Sequence, residues 1–279
     1  MKTRESIHES FRLYGKNPAI ILPYLLFGIF NTAVTIFLVN YLKSSLATLR
    51  FTSSIEFFVL GQKLSDALTA LFLQNLLVVL FIGLVFVIVD AVIKSYTIGI
   101  SAAMIRGKTA TLKDGIPAAR RATTIVAKNL GLGLLLVLGS ALIFITSVVL
   151  LGKFALVSFI PAVIIFAFIL YAVTLFASQS IVLENKGAWQ GIVSSYFFIR
   201  KHVEDSAKIV LFLVFIFVAF QMIKLASTQL LENFLRSHTL QLVRVAENLL
   251  LGYIIMRPLF VILKTHFFVK NLKTLNKKD

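Results

Sequence analysis

Six apolar stretches, each long enough to cross a bilayer, take up most of this 279-residue chain, and its lysines and arginines gather in every second gap between them. A helix needs about 20 predominantly apolar residues to cross about 30 Å of hydrocarbon. On that basis the spans fall at 18–42, 68–105, 129–152, 154–182, 206–226 and 246–268. Backbone groups in lipid must be satisfied within their own segment, so runs of this length are helices. The expected fold is all-α: a single polytopic integral membrane bundle of six transmembrane helices with short amphipathic interfacial helices. The second stretch is too long for one perpendicular crossing. No proline or turn cluster divides it, so it is expected as one tilted helix projecting beyond the bilayer.

Composition agrees with this class. The chain is 58% hydrophobic and only 14% charged, whereas a soluble domain is about half apolar and about a quarter charged. The net charge of +16 is of the kind that binds phosphate backbones. Here, however, the charges flank apolar spans, which points to anionic lipid headgroups at about 1 kcal/mol per basic residue and away from nucleic acid. The absence of cysteine excludes disulfides, thiolate metal sites and cysteine nucleophiles. The first apolar run exceeds the hydrophobic region of a signal peptide and is expected to stay as a span.

Residues 1–17, 106–128, 183–205 and 269–279 fall on one side of the membrane and hold seventeen basic residues, Lys128 among them; 43–67, Lys153 and 227–245 fall on the other and hold six. The positive-inside rule then puts both termini in the cytoplasm of a multi-pass cell-membrane (plasma or inner membrane) protein. Three of the basic stretches share a design, a short amphipathic segment leading into a span. The first aligns Ile7, Phe11 and Tyr14, the second Leu112, Ile116, Ala119 and Val126, and the third Trp189, Ile192, Tyr196 and Ile199. Helical spacing supports all three as interfacial helices, with Arg12, Lys16, Arg120, Arg121, Trp189, Arg200 and Lys201 as the candidates for lipid contact. Ser10, Phe11, Lys16 and Asn17 match Ser195, Tyr196, Lys201 and His202 at identical offsets. Internal duplication and shared membrane-surface demands both account for that. The residues before spans one and two, 9–26 and 43–67, add an amphipathic start and an apolar loop with Phe51, Ile55, Phe57, Phe58 and Leu60, expected as a short helix against the outer leaflet.

The segment SIVLENKGAWQGIVSSYFFIRKH, through Glu184, Gly187, Ser195, Tyr196, Arg200 and Lys201, resembles a motif of prokaryotic six-span membrane proteins without an assigned activity. The same motif belongs to the membrane domain found beside some glycerophosphodiester phosphodiesterases. A weaker echo lies at Phe11, Lys16, Asn17, Pro18 and Pro23. In those phosphodiesterases catalysis belongs to a separate soluble barrel, for which this chain has neither the length nor the motifs. The resemblance therefore implies a membrane module without a known activity.

Three ionisable residues fall well inside spans. Asp90 and Lys94, spaced i and i+4, share a face of the second span, and Arg257 lies in the sixth beside Pro258. A charged side chain at the bilayer centre costs about 2.5–3.5 kcal/mol on insertion scales, so such groups face protein or water and pair with one another. From Arg106 as the boundary, Lys94 lies about 18 Å deep and Asp90 about 24 Å, at about 1.5 Å per residue. At that depth the Lys94 ammonium cannot reach a surface, which favours an internal pair. Lys208, Lys224 and Lys264 are near enough to span ends to snorkel. The trio is read either as a structural lock between spans two and six or as a polar pathway, and Pro258 is expected to bend the sixth helix.

No catalytic constellation emerges. The four histidines have no metal-ligand spacing, Ser194 and Ser195 sit in no nucleophile elbow, and no cofactor motif is present. Glu184 and Asp114 read as helix-start or salt-bridge residues. Three functions remain in view: first a non-enzymatic scaffold or accessory component contacting anionic lipid or a membrane-protein partner, then a small-solute or lipid transporter using Asp90, Lys94 and Arg257, and third an enzyme acting on lipids, which a cytoplasmic cavity clustering polar side chains would favour.

Overall fold

The computed structural model describes residues 3–47, 57–108, 110–152, 155–232 and 237–275, and all regular structure among them is helical. Helix α1 (Thr3–Lys16) turns at Pro18–Ile20 into α2 (Ile21–Ala47), which is followed by α3 (Phe57–Ile105). A 3-10 turn at Leu112–Gly115 and the single-turn α4 (Ile116–Ala119) lead into α5 (Ala122–Leu151). Then come α6 (Ala155–Val173), α7 (Ala177–Leu183), α8 (Ala188–Lys201), α9 (Val203–Glu232), α10 (Ser237–Glu247) and, after a π-helical stretch at Asn248–Met256, α11 (Arg257–Leu275).

Six segments are long and apolar enough to cross a membrane: Pro18–Leu38, Leu80–Ile105, Ala122–Leu151, Val157–Leu183, Val203–Leu231 and Val243–Leu272. The chain is an all-α polytopic bundle, and its segments fit a multi-pass membrane protein. The second stretch is one unbroken helix of 49 residues. Of the apolar loop expected at 43–67, residues 48–56, with Phe51 and Ile55, lie outside the described residues; 43–47 belong to α2, and 57–67, with Phe57, Phe58 and Leu60, belong to α3 rather than to a separate short helix.

Three departures from the expected elements have local causes. The fourth stretch is two helices rather than one. Between α6 and α7 the Ser195 hydroxyl accepts the Phe176 N–H at 3.1 Å and donates to the Val173 carbonyl at 2.8 Å, so a side chain from α8 satisfies the backbone that the break exposes. The third span starts at Ala122, not 129, because Ala122 and Ile125 are buried with Ala91 of α3 and Ile181 of α7. Val126 accordingly belongs to α5, and the second interfacial element shrinks to Leu112–Ala119. At the sixth stretch Pro258 has no N–H to offer the Ile254 carbonyl, and the Tyr14 hydroxyl of α1 donates to that oxygen at 2.7 Å. The turns just before Pro258 are wound as a π-helix.

The short helices act as elbows, each packed on the end of a span: α1 on α11, α4 on α3 and α8 on α7. Ile7 and Leu272 pack against one apolar cluster, built from Leu175, Phe176, Phe198, Ile209, Leu213, Leu263, Phe267 and Phe268. Helix α1 and the C-terminal part of α11 therefore lie at the same end of the bundle, called the elbow end below.

The elbows turn faces of small residues toward the bundle. In α1 the buried residues are Ser6 and Ser10, with Phe11 exposed; in α8 they are Gly191, Ser195 and Phe198, with Trp189 and Tyr196 exposed. Small residues let backbones approach closely. A Cβ on Gly191 would lie 2.5 Å from Ile181, and one on Gly99 would lie 2.6 Å from the Ala118 methyl. Phe11, Leu112, Ile116, Trp189 and Tyr196 are instead exposed, as interfacial anchors are.

Candidate functional site

The charged residues of spans two and six meet in one layer of the bundle. An Arg257 nitrogen lies 3.3 Å from one Asp90 oxygen, and Lys94 Nζ lies 3.6 Å from the other. The Asp90 carboxylate thus bridges α3 to α11 while also accepting its own helix neighbour one turn on. Both pairs are partly shielded, with side chains 29–40% accessible, so their attraction exceeds that of a surface pair.

Aromatic groups fix the guanidinium. It sits 4.5 Å from the Tyr253 ring centroid and 5.1 Å from that of Phe27, a cation–π arrangement on both rings. Those rings contact each other edge to face at 5.7 Å. The Asn31 side-chain amide donates to the Tyr253 hydroxyl. The chain reaches this geometry because Gly28 lets α2 lie against the π-helical stretch: a Cβ there would come within 2.8 Å of Leu249 and of Tyr253. The π-winding occupies the residues leading directly into Arg257, consistent with the frequent placement of such turns at functional positions.

A cleft of about 540 Å³ opens beside the pair, lined by Phe27, Asn31, Phe86, Val87, Asp90, Asn129, Leu132, Tyr253 and Arg257. Its polar lining is rich in donors: the guanidinium, two carboxamides and a phenol face a single carboxylate. The volume lies within the ordinary range for small-ligand sites.

Two further lysines join this layer, and both correct the sequence reading. Lys128, counted there among the surface cations, is only 6% exposed, and its ammonium donates to the Ser178 hydroxyl at 3.1 Å. Burial of the first turn of α5 carries it inside. Lys264, expected to snorkel, is flanked on α11 by buried residues from Val261 to Val269. It stands two turns from Arg257, on the same helix face. Lys94, Lys128 and Lys264 all lie within electrostatic reach of one another and of Asp90. The other two spans' lysines behave as surface groups: Lys208 pairs with Glu204, and Lys224 donates to Asn248 at 2.5 Å.

The signal for Lys264 was present in its seven-residue spacing from Arg257. Lys128 gave none, since only the packing of α5 against α3 and α7 sets its depth.

The lipid-contact candidates all occupy elbow elements or their junctions. Arg12, exposed, pairs with Glu9; Lys16, Arg120, Arg200 and Lys201 are exposed, Trp189 is 69% exposed, and Arg121 is half-buried. None of them touches the charged layer directly. Asp114 accepts the Thr111 N–H at 2.7 Å and its hydroxyl at 2.9 Å, which holds its carboxyl below the ordinary value, first through the backbone bond. Ser194 donates to Glu184 at 3.2 Å and accepts from Lys186 at 2.7 Å. These are structural ties rather than an acid–base pair.

No family model, no curated protein and no solved structure matches this chain.

Proposed function

We propose that the protein is a non-enzymatic accessory module of the cell membrane that holds an acidic group, an anionic lipid headgroup or the carboxylate of a membrane partner, against its interior charged layer. Its basic elbow end, with both termini, faces the cytoplasm. The fold and layout of the six-span membrane proteins it resembles agree with a module of this kind.

One observation carries the reading: among the described residues Arg257 and Lys94 both pair with Asp90, and Lys128 and Lys264 add further positive charge to the same layer. Unpaired charge in a low-dielectric interior is costly. An arginine cannot shed its proton, so a second anion beside Arg257 relieves the layer, and the donor-rich cleft offers the space for it.

The test exploits sign. Protein purified in mild detergent from a membrane containing phosphatidylglycerol is assayed for retained anionic lipid by native mass spectrometry. Arg257→Gln is expected to lower retention about tenfold. Asp90→Asn, which removes the competing carboxylate, is expected to raise it even as it weakens the fold. Equal retention by wild type and both variants rejects the reading.

The cleft volume favours a second reading, a carrier for a small anionic solute or lipid that uses Asp90, Lys94 and Arg257. In proteoliposomes that reading requires anion flux abolished by Asp90→Asn at unchanged abundance.

A further inference from the structure

A second polar pocket, separate from the charged layer, opens at the elbow end. Its volume is about 310 Å³, and its polar wall consists of Arg106, Lys108, Asp114, Arg121 and Asn185. Between it and the cleft lie the buried side chains of Ala91, Ala122, Ile125 and Ile181, and those of Tyr24, Ile98 and Val261. The two sites do not share a lining residue.

Three cations converge on this pocket from two directions. Arg106 and Lys108 flank Gly107, whose φ of +81° turns the chain sharply at the end of α3. Arg121 stands at the start of α5. The wall between them is made by the close approach of Gly99 to Ala118 and to the Asp114 carbonyl, so α4 is held tightly enough against α3 to give the pocket a fixed shape. A residue larger than glycine at 99 would push the Arg121 side of the wall away.

The local carboxylates have set partners, and the Lys108 charge also acts on Asp114 across the rim. Asp114 takes both hydrogen bonds from Thr111. Glu184, in the adjoining loop, accepts from Ser180 and Ser194 and lies 3.1 Å from Lys186 Nζ. None of Arg106, Lys108 and Arg121 forms an ion pair among the described residues. With Glu184 anchored, the next residue, Asn185, turns into the left-handed region at φ 58° and is the side chain of this loop that lines the pocket. Asparagine tolerates that conformation better than most residues, and it brings an amide donor.

We infer that this pocket binds a phosphate group. Two guanidiniums supply planar, paired donors matched to phosphate oxygens, and Lys108 supplies a compact point charge at the rim. The remaining lining, Ala102, Ala103, Pro117, Ala118, Val182 and Leu183, is small and apolar, suited to the glycerol end of a lipid or to nothing larger than the anion itself. The phosphate has two sources, an anionic lipid headgroup and free inorganic phosphate, and the inference is independent of any occupant of the charged layer.

The experiment uses the full chain in nanodiscs. Phosphatidylglycerol retention from mixed phosphatidylcholine and phosphatidylglycerol discs is read by native mass spectrometry, and inorganic phosphate binding in pure phosphatidylcholine discs by calorimetry. Arg106→Gln with Arg121→Gln is expected to cut binding of the true ligand about tenfold or more, and Lys108→Gln severalfold. Lys208→Gln with Lys224→Gln, two cations outside both the pocket and the lipid-contact candidates, serves as the control expected to change nothing. Loss confined to the lipid assay assigns a headgroup, and loss in the calorimetric assay assigns free phosphate. Lys108 is exposed in a turn, so Lys108→Gln stays informative even if the double variant fails to fold. The inference is overturned if Lys108→Gln matches wild type in both assays, or if the control pair lowers binding as much as the pocket variants do.

Discussion

The elbow end and the opposite end of the bundle are built from equally apolar helices, yet they pack very differently. At the elbow end Phe176, Phe198, Phe267 and Phe268 interlock with ring centroids 4.8–6.1 Å apart. Toward the far end the same kinds of side chain stand apart: Phe81 is 68% exposed, Val149 77% and Leu150 73%. Hydrophobicity alone does not separate the two. Where the surroundings are lipid tails, an exposed leucine loses nothing, so association rests on close packing and hydrogen bonds. The elbows provide both, through small residues at the contacts and hydroxyls such as Ser195 and Tyr14 at the breaks. The charged layer lies where the packed end gives way to the open one, which is where a cleft and a fixed ion pair can coexist.

Glycine substitutions should break that comparison most visibly. Gly191→Leu drives a side chain into Ile181 and the Ala177 carbonyl and is expected to cost about 3 kcal/mol, the upper part of the range for overpacking. Gly83→Leu, with nothing within 4 Å of its Cβ, is expected within about 0.5 kcal/mol of wild type. Unfolding in detergent measures both, and similar losses would remove the distinction between the ends.

Asp90→Asn comes next. It leaves Arg257 and Lys94 without their carboxylate and is expected to cost about 2 kcal/mol, less than a fully buried pair because the groups are partly accessible. Adding Arg257→Gln should recover part of the loss in the same unfolding assay. No recovery would mean that the pair contributes nothing as a lock.

Tyr14→Phe is expected to cost about 1 kcal/mol by orphaning the Ile254 carbonyl. Amide exchange around residues 254–258 should rise with it, and unchanged exchange would show that the π-helical stretch does not depend on α1.

The smallest effect is on pH. The His202 ring packs against Phe198 at 5.0 Å, and burial, then the Lys201 charge, lowers its pKa below the ordinary 6.5. A base with a lowered folded pKa stabilises fully above its unfolded value and loses that contribution as pH falls below it. Amide exchange at the α8–α9 corner should therefore rise between about pH 7 and about pH 5, and His202→Phe should flatten the profile. A wild-type corner insensitive to pH over that interval contradicts the assignment.

Much of the architecture was legible in one dimension. Span length and apolar continuity specify helices because unpaired backbone groups in lipid leave no alternative, and this holds for all six segments, including the 49-residue α3. The elbows were legible as amphipathic helices but not in their contact faces. Their large side chains seek the interface while their small ones admit a neighbour, and periodicity weights the large ones. Within the site, Asp90 and Lys94 stood out because i, i+4 charges inside an apolar run have few explanations. Arg257 stood out beside its proline. Phe27, Asn31 and Tyr253 did not, being ordinary residues of apolar spans until α2 and α11 meet.

By itself, then, the sequence determined the number of apolar spans, their helical nature and where the charge gathers between them, since those follow from the cost of polar groups in hydrocarbon and scale with residue count. Tertiary structure alone decided that Lys128 turns inward onto Ser178 and Lys264 lies among the buried residues of α11, that Ser195 and Tyr14 mend broken backbone in distant helices, and that Arg106, Lys108 and Arg121 converge on one pocket. Each of these depends on the rotation of one helix about its axis relative to another, a quantity fixed by side-chain packing across sequence-distant surfaces and invisible in any single apolar run.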